Sequence, residues 1–178
     1  EGFRPEYKAW LAYADRIDSP LLTVPGNHDS RNVGYVHFED LIGPRMWSTD
    51  VGGVRVVGVD SSEPDLNEGK VGRVHYPWIK QEFHAASTLN IFVLHHHLLP
   101  IPGTGRERST VMDAGDLLEV LIHAGVDVVL NTLAGEGRDV GVDPTDLVHS
   151  AALRLLALRD TAVADEGDML ALSARIMR

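Results

Sequence analysis

The chain has 178 residues, 44% of them hydrophobic, a formal net charge of −10 and no cysteine. That length can carry a sizeable core, because chains of about 150 residues bury roughly two thirds of their unfolded surface. The acidic balance argues against sequence-independent binding to nucleic acid, which needs clustered Lys and Arg; the absence of cysteine excludes disulfides and thiolate metal sites, leaving His, Asn, Asp and Glu as cation ligands.

In chain order, residues 5–17 read as a helix, with Tyr7, Trp10, Leu11 and Ala14 at helical spacing and Pro5 near the start. Residues 21–24 are an apolar run predicted as a strand, which delivers Gly26, Asn27, His28 and Asp29 at its end. A short helix is expected over 35–42, a strand over 54–59 leading into Asp60 and Ser61, and a Gly- and Asp-rich loop over 61–74. Pro77 opens a helix whose Trp78, Ile79 and Phe83 form the core side. Ile91, Phe92, Val93 and Leu94 suit a buried strand, followed by His95, His96 and His97. A surface loop over 100–108, a helix over 113–123 stopped by Gly125, and a strand over 126–130 complete an alternating α/β pattern.

Two strand ends carry chemistry-bearing residues. Gly26 permits a sharp turn and close approach to a ligand, Asn27 offers a neutral oxygen to a hard cation, and His28 exchanges a proton near neutral pH. Asp29 is expected to orient the His28 imidazole. The competing reading is an ordinary surface turn, since Gly, Asn, Asp and Ser favour turns for backbone reasons alone. At the second end, alternation along an extended chain puts His95 and His97 on one face and His96 on the other, so at most two of the three aim at one site. Together the two clusters point to a metal site.

With these residues in view, the sequence resembles the calcineurin-like metallophosphoesterases, in which a strand-ending Gly-Asn-His-Asp and a later strand ending in a His pair contribute to a two-metal centre. The stretches 54–61 and 69–83 are similar to the family's following segments, and the resemblance covers about residues 1–131. It implies Asn27 and His95 as metal ligands and His28, with Asp29, as the catalytic proton donor or phosphate-polarising group. Arg31 is a candidate for substrate binding by its proximity to Asp29, and His96 and His97 by their place beside His95. The implied cofactors are two divalent ions, of Mn, Fe, Zn, Co or Ni, and the implied partner is a small phosphoester substrate. The family's Asp-x-His, Gly-Asp-x-x-Asp and closing Gly-His-x-His patterns are not found, so the ligand set is incomplete in this chain. The expected fold is a partial metallophosphoesterase-like β-sandwich core flanked by helices.

Beyond residue 131 the resemblance ends. Residues 132–142 have a linker-like composition, and residues 143–178 read as a helical hairpin, with Leu147, Ala151, Leu155 and Leu158 at helical spacing. This tail and unpaired strand edges are expected to favour self-association. No apolar run reaches the ~18–20 residues of a membrane span, and the acidic composition suits a cytoplasmic protein. Arg106 and Arg108 are read as solvated, His37, His75, His84 and His123 as structural or exposed, and Trp10, Trp47 and Trp78 as core. Two functions remain: a metal-dependent phosphoesterase acting as part of a longer domain and weak or inactive as this chain alone, or a non-catalytic interaction protein that keeps a degenerate phosphoesterase core.

Overall fold

The computed structural model describes residues 1–83, 87–100 and 109–131, so the expected linker and helical hairpin lie outside the described residues, as do His84, Arg106 and Arg108. The elements in chain order are α1 (Arg4–Ala14), α2 (Gly34–Leu41), β1 (Trp47–Val51), β2 (Val54–Gly58), α3 (Tyr76–Glu82), β3 (Leu89–Val93), α4 (Ala114–His123) and β4 (Val128–Leu130). The four strands form one mixed sheet in the order β1-β2-β3-β4. β1 pairs antiparallel with β2, while β2, β3 and β4 run parallel. A second sheet, as a sandwich requires, is not among the described residues.

The β1–β2 hairpin has a physical cause in Gly52 and Gly53. Both adopt positive φ, 59° and 86°, as a tight two-residue hairpin turn with the twist of its strands demands. The parallel strands are joined through helices. α3 and α4 pack one face of the sheet, burying Ile79, Leu117, Val120 and Leu121 against Val57, Phe92 and Leu94. Trp78 lies partly buried at the margin of this core. On the opposite face Val56, Leu89 and Ile91 are buried beneath Trp47, Val54 and Val128. A strand buried on both faces is expected to read as a continuous apolar run, as β3 does from Ile91 to Val93; the buried Asn90 before them donates to the Gly125 carbonyl at 2.9 Å.

Two expectations are corrected. Residues 21–24 are not a strand. Their apolar composition is right for one, but a strand exists only through a ladder, and no described strand pairs with them; the Thr23 carbonyl instead accepts the Trp47 indole N–H at 2.6 Å. The first helix also ends at Ala14 and not at residue 17. Its bonds tighten to three-residue closures, with Arg16 N–H donating to Tyr13 and Ile17 N–H to Ala14, before Asp18, Ser19 and Pro20 turn the chain away. Among the described residues no helix is long and apolar enough to cross a membrane.

Candidate functional site

The first half of the site is made by the sheet. Beyond β3 the ladder continues for one residue, with the Leu94 N–H donating to the Leu130 carbonyl at 3.0 Å, and the Leu94 side chain is buried in the main core. The chain then bends at His95 and His96, and His97 makes a parallel bridge to Thr110. The bend replaces the extended alternation expected from sequence, so each of the three imidazoles has its own direction.

The second half is made by a turn. The Ser30 N–H donates to the Gly26 carbonyl at 3.2 Å, closing residues 26–30. Asp29 accepts the Gly26 N–H on Oδ2 at 2.8 Å, and its carbonyl accepts the Tyr7 hydroxyl at 2.7 Å. Burial raises the Asp29 carboxyl above its ordinary range, opposed by the Gly26 N–H. The Tyr7 hydroxyl is likewise pushed up by burial. Gly26 has a steric reason for lacking a side chain: a Cβ there would lie 2.9 Å from the His95 ring.

These halves meet at Asn27 and His95, 68 residues apart in sequence, where Asn27 Oδ1 lies 3.1 Å from His95 Nε2. Two donors each about 2.1 Å from one cation stand about 3.0 Å apart at neighbouring octahedral positions and about 3.4 Å apart at tetrahedral ones, so the pair's spacing is compatible with two positions of one coordination sphere. Among the described residues no three His, Asp or Glu side chains cluster as a metal site would require. What the described residues bring together is a pair of neighbouring polar atoms, Asn27 Oδ1 and His95 Nε2.

The other predicted site residues are placed as follows. The His28 side chain is 58% exposed and its Nδ1 lies 3.3 Å from a Glu1 carboxylate oxygen. Asp29 therefore does not orient it as expected; the carboxylate is taken by the backbone N–H that the tight turn leaves unpaired, while His28 points outward. Arg31 donates to Glu1 Oε2 at 3.0 Å and to Asn67 Oδ1 at 2.7 Å. His96 is buried, with Nδ1 2.9 Å from the Ser61 hydroxyl and Nε2 3.2 Å from the Asn67 carbonyl. A carbonyl only accepts, so Nε2 carries the proton and Nδ1 accepts from Ser61. Burial lowers the His96 pKa to about 4. His97 is buried as well, and its Nδ1 has no hydrogen-bond partner among the described residues. His95 and His96 meet edge to face with ring centroids 4.9 Å apart.

The 61–74 loop is expected from sequence, but not that its Ser62, Asp65 and Asn67 join the two halves. Ser62 bonds Ser30 hydroxyl to hydroxyl, Asp65 Oδ1 accepts the Asn32 N–H at 3.1 Å, and Asn67 Oδ1 accepts from Arg31 and, at 3.4 Å, from Asn27 Nδ2. Asp60 anchors this loop from below, its carboxylate accepting the Ser62 N–H and the Arg45 guanidinium, each at 2.7 Å. Burial raises the Asp60 carboxyl, and the Ser62 and Arg45 bonds oppose it. Gly69 lets the loop close on the His96 ring, which a Cβ would meet at 2.5 Å. The sequence signals are Asp60-Ser61 at a strand end and the Gly- and Asp-rich composition of the loop, neither of which names a partner.

A mixed α/β sheet thus brings His95, two residues past the end of β3, against the Asn27-bearing turn. The chain belongs to the calcineurin-like phosphoesterase family, whose model matches residues 1–132. It is also similar to a probable cyclic nucleotide phosphodiesterase of Synechococcus sp., 23% identical over 125 residues that cover 69% of this chain and 48% of that protein. The chain thus spans about half the length of the relative it matches.

Proposed function

We propose that this chain is part of a metal-dependent phosphoesterase that hydrolyses a phosphodiester or phosphomonoester, and that it is weak or inactive on its own. The single observation that carries this reading is the 3.1 Å approach of Asn27 Oδ1 to His95 Nε2. The family generally uses a dinuclear centre of divalent ions, for which Mn, Fe, Zn, Co and Ni are the candidates; Asn27 and His95 would hold one ion of it. Such a centre, when bound, supplies a water acidified enough to act as nucleophile near neutral pH. The chain's own residues do the rest. His28, exposed beside the ligand pair, donates a proton to the leaving oxygen or polarises the phosphoryl group. Arg31 binds the phosphate by exchanging the Glu1 carboxylate for a phosphate oxygen, an anion-for-anion replacement suited to a guanidinium. The relative's name makes a cyclic nucleotide the first phosphodiester to test.

The test is hydrolysis of bis(p-nitrophenyl) phosphate and of a cyclic nucleotide with manganese supplied. The isolated chain is expected to show little or no turnover. A longer form bearing the remaining ligands should be active and lose on the order of 100-fold or more in Asn27→Ala and His95→Ala, the several kcal/mol expected for loss of metal-borne charge stabilisation. High turnover by the isolated chain would overturn the partial-site reading. The second reading, a non-catalytic interaction protein with a degenerate core, is favoured by the lack of a three-residue metal cluster among the described residues. Absence of stoichiometric metal from the longer form would select it.

A further inference from the structure

We propose that Asn67 is a positioning residue for the candidate metal site, turning the Asn27 carboxamide so that its oxygen faces His95. The inference rests on Asn27 and His95 being the ligand pair, and it follows from the polarity of four groups in sequence. The Arg31 guanidinium carries only donors, so the Asn67 atom lying 2.7 Å from it is the carboxamide oxygen. That oxygen only accepts, so the Asn27 atom on the same side, at 3.4 Å, is the amide nitrogen. A carboxamide is planar with its two polar atoms opposed, so the Asn27 oxygen points the other way, toward His95 Nε2 at 3.1 Å. Only the oxygen of an amide side chain binds a hard cation. Without Asn67, a half-turn of the Asn27 amide would present NH2, which cannot ligate a cation, toward His95.

The position of Asn67 suits this role. Its backbone carbonyl is pinned by His96 Nε2 at 3.2 Å, so the loop is fixed by a buried ring while the side chain reaches outward to Arg31 and Asn27. Asn67 itself is exposed, and its loss leaves the core untouched. It touches neither the reacting atoms nor, by any bond described, His95. Its effect passes through Asn27.

Two substitutions separate positioning from general support. Asn67→Leu keeps the size and removes the acceptor; Asn67→Asp keeps an acceptor toward both partners. In metal-free protein at pH 8, nitrogen NMR of the His95 imidazole should report a proton on Nε2, donated to Asn27 Oδ1. In Asn67→Leu the ratio of the two neutral tautomers should shift by about fivefold toward Nδ1–H, the weight of one ordinary hydrogen bond, and Asn67→Asp should restore it. Manganese affinity, measured by electron paramagnetic resonance on a form that binds the metal, should fall 10- to 100-fold in Asn67→Leu, as for other partners of metal ligands, with an unchanged melting temperature. An unchanged tautomer ratio in Asn67→Leu, or no restoration by Asp, would overturn the role of Asn67. A wild-type protein that binds no manganese yet shows the tautomer shift would overturn the metal reading and leave the orienting relay standing.

Discussion

Asn27 and His95 arrive at the same point by different routes. His95 follows β3, a central strand buried along four of its five residues and bonded on both sides, by β2 and β4. Asn27 sits on a turn with no ladder at all, held by Asp29 on the Gly26 N–H, by Tyr7 on the Asp29 carbonyl, and by loop contacts through Ser62, Asp65 and Asn67. The first half is placed by apolar burial, whereas the second, behind the buried Val24 and Pro25, is fixed mainly by hydrogen bonds, those to Asp65 and Asn67 exposed. The global stability of the chain should therefore reside in the strand half, while the turn half can be altered with little change in folding.

The largest effect that would test this contrast is Leu94→Ala. Leu94 is 1% exposed and immediately precedes His95. Truncating it removes packing from the main core and leaves a cavity, which costs about 2–5 kcal/mol at buried leucines. Urea unfolding should show that loss. A change below about 1 kcal/mol would mean that the sheet does not hold His95 by packing, and the two halves would no longer differ in kind.

The next effect is a pH dependence carried by His96, which stands between the halves. Its pKa is about 4 in the folded protein, against about 6.5 when unfolded. Above pH 6.5 the ring is neutral in both states and its contacts with Ser61 and Asn67 are intact. As the pH falls from about 6.5 to about 4 the unfolded chain takes up the proton first, so stability declines, by up to about 3 kcal/mol for this residue. Below about 4 both states are protonated and the decline from this group ends. His96→Gln, which cannot titrate, should be less steeply pH-dependent between pH 6.5 and 4 than the parent chain. Parallel curves for the two proteins would show that burial does not keep His96 neutral.

The strand half was legible in sequence because its cause is local. Ile91, Phe92, Val93 and Leu94 are apolar wherever they are, and His95 at the end of such a run stands out without any partner. Gly26 and Asn27 stood out by composition. What the sequence concealed were properties of pairs. Residues 21–24 look like a strand, but strandhood depends on a neighbour that the described fold does not provide. β1 has no strong apolar alternation, and its signal lay in Gly52-Gly53, which only a hairpin reading exploits. Asn67 is one asparagine in a polar loop, 40 residues from Asn27, and its role exists only once the chain brings Arg31 to its other side. Asp29 misled for the same reason, because the geometry of its own turn gave its carboxylate to Gly26.

The smallest predicted effect concerns strain in the turn half. Asn32 and Val33 both take positive φ, 51° and 57°, just before α2. An asparagine tolerates that region, whereas a β-branched residue crowds its own backbone there, at about 1–2 kcal/mol. The Val33 side chain is 55% exposed and recovers little by burial. Val33→Gly should relieve the crowding, with part of the gain lost to the greater freedom of glycine in the unfolded chain, roughly 0.5–1 kcal/mol. The expected net result is a stabilisation of up to about 1 kcal/mol, read as a higher unfolding midpoint. The hydrogen bonds from Arg31 to Asn67 and from Asn32 to Asp65 fix the chain just before this residue. If the midpoint rises, those bonds restrain a conformation the sequence would otherwise relax. If it falls, Val33 contributes packing, and the assignment of the second half mainly to hydrogen bonds fails.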